Sequence, residues 1–109
     1  NLPGVYSHED NRRVMYKLII DATTFPHNKP QAFIFSPTDK EIMHVNIFNE
    51  GPYSIWPNRL LCPLCDGVDA KRWQSQKGDL FTRFSWWINQ VHGVLKNPNP
   101  DDHARVNPR

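Results

Sequence analysis

Two short stretches of alternating or near-continuous apolar residues and one long stretch of helical periodicity carry the regular structure of this chain. In Val14–Asp21, Val14, Tyr16, Leu18 and Ile20 alternate with Met15, Lys17, Ile19 and Asp21. The run is rich in β-branched and aromatic side chains, and both faces are mostly apolar, as in a central strand. Ala32–Ser36 (AFIFS) is a second strand, stopped by Pro37. A proline-punctuated turn over residues 22–31 joins the two into an antiparallel hairpin or meander. Residues 80–95 place Leu80, Phe84, Trp87, Ile88, Val91 and Leu95 on one helical face. Asp79 caps the start of that helix, and Asn97-Pro98 ends it. A short strand is expected near Val5–Ser7. Residues 51–73 have no clear period and read as an ordered loop held by Trp56, Leu60, Leu61 and Trp73. The sum is an α+β domain: a small antiparallel sheet with an amphipathic helix packed on it.

Composition changes this picture in one respect. Ten of the 109 residues are proline, and proline is excluded from helix interiors and central strands. Charged residues make up 22% and the net charge is +2, with no basic run, so neither a nucleic-acid-binding nor a membrane-surface role is favoured. No apolar stretch approaches the roughly 18 residues of a membrane helix. No secretory signal is visible at the start. The two cysteines, Cys62 and Cys65, lie too close together to staple a domain, which favours a reducing compartment, the cytoplasm.

Cys62-Pro63-Leu64-Cys65 has the C-x2-C spacing of a zinc knuckle, and His92 and His103 could complete a metal set. The same spacing occurs in thioredoxin-type redox sites, but these sit at a strand-to-helix junction, and here a long loop follows Cys65. Taken alone, two cysteines in an apolar run also fit buried small hydrophobes.

The order of features along the chain resembles the core of the ubiquitin-conjugating enzymes. Val14–Asp21 is followed by Phe25-Pro26 and Lys29-Pro30, Ala32–Ser36-Pro37, His44-Val45-Asn46, Leu61-Cys62, Trp73, the amphipathic helix, and Pro98-Asn99-Pro100-Asp101-Asp102. The distance from His44 to Cys62 is longer than in the family, Val45 replaces the usual central proline, and residues 1–13 leave almost no room for the family's first helix. The resemblance therefore implies a single shortened, divergent domain over residues 1–109, of the sort expected in bacterial ubiquitin-like conjugation systems.

That resemblance implies an acyltransferase needing no metal or small cofactor. Its partners would be a ubiquitin-like protein, an activating enzyme, and a ligase or target protein. A cysteine takes the modifier's C-terminal acyl group as a thioester and yields it to an amine. Cys62 is the first choice of nucleophile, because it follows Leu60-Leu61 and lies nearer the expected distance from His44. Cys65 is the rival, because its spacing of eight to Trp73 fits the family better than the eleven from Cys62. Asn46 would hold the oxyanion of the transfer step. His44 would fix the local loop. Asp102 would orient the incoming lysine and help it lose its proton, a real need for an amine of pKa near 10.4. Asn99 would line the same edge. Asp66 and Asp69 flank the cysteines and could position the acceptor. Trp73 and the helix stripe are core. Trp86, one position off the stripe, is a partner-contact candidate, and so are Phe25-Pro26 and Pro63. A non-catalytic module of the same fold, binding a ubiquitin-like protein, is the alternative, alongside a zinc-binding domain using Cys62 and Cys65.

Overall fold

The computed structural model describes residues 1–101. Five strands form one antiparallel sheet: β1 (Leu2–Val5), β2 (Arg13–Asp21), β3 (Gln31–Ser36), β4 (Gly51–Pro52) and β5 (Leu60–Pro63), in the order β1-β2-β3-β5-β4. A short helix, α1 (Ala70–Gln74), and a long one, α2 (Leu80–Lys96), follow. The fold is α+β, with α2 packed on the sheet.

The β2–β3 hairpin forms from the two strands read in the sequence, with Ile19 opposite Phe33 and Ile20 opposite Ala32. Tyr16 on β2 and Ala32 and Ile34 on β3 face a core that they share with Trp87, Val91 and Leu95 of α2. Those three helix residues are four apart, so their side chains stack along one stripe. Trp73 of α1 and Leu64 close the same core, and both are buried. The Asp79 carboxylate accepts from Thr82 N at 2.8 Å and satisfies one of the open donors at the start of α2. The Asn97 N–H bonds to Gly93 O at 2.8 Å at the other end.

Two parts of the chain differ from the sequence expectation. The first strand is Leu2–Val5 rather than Val5–Ser7 and pairs with β2 despite Pro3. Pro3 is tolerated because β1 is an edge strand. Residues 51–73 are not all loop: they contain β4, β5 and α1. Cys62 of β5 sits opposite Ile34 of β3, so β5 completes the sheet next to the hairpin. Ile42–Phe48 forms no strand; it meets the end of β5 through the bond from Phe48 N to Pro63 O at 2.8 Å and the bridge from Ile47 to Leu64.

Gly4 lets β1 and α2 approach. A Cβ added there would lie 2.6 Å from the Leu95 carbonyl oxygen and 2.8 Å from Tyr16 Cε2. The first contact is backbone and cannot swing away. Gly4→Ala is therefore expected to push α2 off β1 and cost about 1–3 kcal/mol. Urea unfolding checks this, and an unchanged midpoint would contradict the packing.

Among the described residues, no helix is long and apolar enough to cross a membrane.

Candidate functional site

The two cysteines occupy opposite kinds of environment. Cys62 lies within β5 with its side chain in the core, 1% exposed. Its Sγ is 3.5 Å from Oδ1 of Asp39. Asp39 is itself buried and also accepts from Asn49 Nδ2 at 3.0 Å and Glu50 N at 3.3 Å. Burial pushes the Cys62 thiol up to about 11, and the nearby Asp39 and Glu50 charges add to the effect. At neutral pH almost none of this thiol is ionised, and a bulky acyl donor cannot reach it in the folded chain. Cys62, the first choice of nucleophile from the sequence, thus lies in the core; of the two apolar residues before it, Leu61 is buried and Leu60 is 49% exposed.

Cys65 is only half-buried. It comes after β5 has ended, where Leu64 N still bonds to Ala32 O at 3.0 Å and Cys65 N bonds to Asn46 O at 2.8 Å. It lines an open groove of about 430 Å³, together with Lys29, Gln31, Phe48, Asp66 and Val68. The backbone of Cys65 thus pairs with the His44-Val45-Asn46 turn.

That turn is a bracket between sheet and helix. His44 is fully buried. Its Nε2 lies 3.0 Å from Val94 O and 3.3 Å from Leu95 O, and its Nδ1 accepts from Asn46 N at 3.2 Å. This places the ring proton on Nε2 and makes the imidazole a link between the turn and the last turn of α2. Asn46 is 1% exposed. Its Nδ2 donates to Asn99 O at 3.0 Å, and its Oδ1 accepts from Asn99 N at 2.8 Å. The pair ties the segment after α2 to the cysteine side of the sheet. Asn99 contributes backbone to this clamp, and its side chain accepts from Asp101 N at 3.0 Å. Asp102 and His103 lie outside the described residues.

Asp66 organises the floor of the groove. It is 5% exposed. Oδ2 accepts from Lys29 Nζ at 2.9 Å and from Trp87 Nε1 at 2.8 Å, and Oδ1 accepts from Val68 N at 2.9 Å. The sequence offers an acid next to Cys65 but gives no hint that its partners come from the β2–β3 connection and from α2. Asp69, by contrast, is the N-cap of α1 and accepts from Arg72 N at 2.7 Å. Trp73 Nε1 donates to Pro26 O at 3.2 Å, and its ring lies 6.0 Å from that of Phe25, so Phe25-Pro26 is tied to the core. Trp86 is half-buried, with the Arg72 guanidinium 5.6 Å from its ring centre. Pro63 lines the groove.

Among the described residues, no group of three or more His, Cys, Asp or Glu side chains is arranged to hold a metal ion. Cys62 points into the core while Cys65 faces the groove, so the C-x2-C pair does not form a joint ligand set there.

A direct check of this geometry is thiol alkylation. Cys62 of the folded chain is expected to react with iodoacetamide at pH 8 roughly a hundredfold more slowly than in urea, because a thiol near 11 is far less ionised there than the ordinary one near 8.5. Its labelling should rise as pH approaches 11. Equal rates in folded and unfolded chain, read by peptide mapping, would contradict the buried assignment.

No protein-family model, curated protein or solved structure matches the chain.

Proposed function

We propose that the chain is a conjugating enzyme for a ubiquitin-like protein, carrying the modifier as a thioester on Cys65 and passing it to an amine. The observation that supports this reading best is the bond from Cys65 N to Asn46 O at 2.8 Å. It pairs the backbone of the half-buried cysteine at the groove with the His-x-Asn turn, nineteen residues earlier in the chain. The Cys65 thiolate attacks the thioester carbonyl on the activating enzyme, and that enzyme's thiol leaves. Exchange between two thioesters is close to balanced, so alignment matters more than strong acid–base help. In the second step an amine attacks, and negative charge grows on the carbonyl oxygen. Asn46 is the proposed side-chain donor, with one of its two amide N–H groups held by Asn99 O. Asp102 is the proposed carboxylate orienting the acceptor. The proposed setting is the cytoplasm, with an activating enzyme and a ubiquitin-like protein as partners, a ligase or target protein as the receiver, and no metal or small cofactor.

One observation favours a second reading, a non-catalytic module that binds a ubiquitin-like protein. The Asn46 amide oxygen and one of its two N–H donors are held by the Asn99 backbone, and the side chain is buried. Incubation with an activating enzyme, its modifier and ATP, followed by a non-reducing gel, separates the two. A thiol-sensitive adduct is expected from an enzyme; binding without an adduct supports the module.

A further inference from the structure

We propose that Asp39 is a positioning residue: its buried carboxylate closes the loop that carries the His44-Val45-Asn46 turn and so holds the Asn46 carbonyl against the Cys65 N–H, taking Cys65 and that turn as one site, as the conjugation reading does. Asp39 is 2% exposed and lies three residues past the end of β3. Its Oδ2 accepts from Asn49 Nδ2 at 3.0 Å, and its Oδ1 accepts from Glu50 N at 3.3 Å. Glu50 directly precedes β4. The carboxylate therefore ties the exit of β3 to the entry of β4, and the turn lies within the loop it closes. A third and longer arm comes from β5, where Cys62 Sγ is 3.5 Å from Oδ1. The three segments that surround the pairing of Cys65 with Asn46 thus meet at one side chain.

Hydrogen bonds to an ionised carboxylate are about twice as strong as those between neutral groups, and in a buried setting water does not compete for them. The closed loop leans on the end of β5 through two bonds, Phe48 N to Pro63 O and Cys65 N to Asn46 O, both at 2.8 Å. Asn46 and Phe48 lie inside the loop, so its closure fixes where they stand as β5 runs out into the groove. Asp39 does not line that groove, so it acts through the loop and not on a bound acyl group. A second tie across the same loop, Lys40 Nζ to Glu50 Oε1 at 2.9 Å, lies at the surface with Lys40 70% exposed. An exposed pair of this kind adds little, which makes it the natural comparison.

The readout is the NMR scalar coupling transmitted through the hydrogen bond from the Cys65 amide nitrogen to the Asn46 carbonyl carbon, in the full, isotope-labelled and folded chain. The coupling from the Leu64 nitrogen to the Ala32 carbonyl carbon, another bond of the sheet, is the reference. A loss of overall stability leaves both unchanged as long as the chain is folded. Asp39→Asn keeps the shape and turns one acceptor oxygen into a donor. Asn49→Asp, at an exposed position, sets a second carboxylate against the first and decides the matter if the buried variant does not fold. Each is expected to lower the Cys65–Asn46 coupling roughly twofold or more, because such bonds weaken steeply with distance and angle, and to leave the reference alone. In the double variant Asp39→Asn/Asn49→Asp donor and acceptor exchange places, and the coupling should return. Lys40→Met should not change it. A coupling that is unchanged in the folded single variants, or that the double variant fails to restore, overturns the proposal. The conjugation reading fails separately: a chain that meets these expectations but forms no adduct with an activating enzyme and its modifier refutes conjugation alone, and an adduct-forming chain whose coupling ignores the variants refutes this inference alone.

Discussion

Asp66→Ala is expected to lower the unfolding free energy by about 3–5 kcal/mol, the range for removing one partner of a buried charged pair. Three donors converge on the lost carboxylate: Lys29 Nζ, Trp87 Nε1 and Val68 N. Trp87 is fully buried, so its indole N–H has no water to turn to, and a buried donor left open costs about 1–3 kcal/mol on its own. A domain of this size has a total stability on the order of 5–15 kcal/mol, so the variant should sit near the edge of folding. Lys29→Met should cost less, about 1–3 kcal/mol, because the carboxylate it leaves buried at 4% exposure keeps the Trp87 Nε1 and Val68 N donors. Chemical denaturation of the two variants reads the contrast. A loss under about 1 kcal/mol for Asp66→Ala would mean that the carboxylate does not join the groove to α2.

This central role of Asp66 shows where sequence reading stops. The hairpin and α2 were legible because each repeats one period over many residues: Tyr16, Leu18 and Ile20 alternate, and Trp87, Val91 and Leu95 recur every four. β5 was not. Its four residues include a proline, and its two inward contacts depend on which residue faces Ile34, a matter of register with a strand far away in the chain. That register also decides the fate of the cysteines. Once Cys62 sits opposite Ile34 it must enter the core, and Cys65, beyond the strand's end, is left at the groove. Nothing local distinguishes the two thiols. β1 was obscured for a different reason: Pro3 and Gly4 argue against a strand, but Pro3 lies on an edge and Gly4 is required by the close approach of Leu95. α1 had a readable signal in Asp69, whose carboxylate caps Arg72 N, but a five-residue helix is too short for periodicity to show. His44 and Asn46 could be singled out by type and spacing, whereas their partners, the carbonyls of Val94 and Leu95 and the backbone of Asn99, are set only by how α2 returns to the sheet.

The second large effect concerns the acyl carrier. Cys65→Ala is expected to abolish thioester formation, a loss beyond a hundredfold, because no other exposed thiol stands at the groove. Cys62→Ala should retain it at close to the wild-type level, with a modest loss of stability from the vacated core position. The difference follows from burial: Cys62 is sealed in the core, which pushes its thiol up to about 11, while Cys65 is only half-buried and lines the groove. The decisive measurement is a non-reducing gel of wild type, Cys62→Ala and Cys65→Ala after incubation with an activating enzyme, its ubiquitin-like protein and ATP. The account predicts a thiol-sensitive adduct in the first two and none in the third; an adduct kept by Cys65→Ala and lost by Cys62→Ala would contradict it.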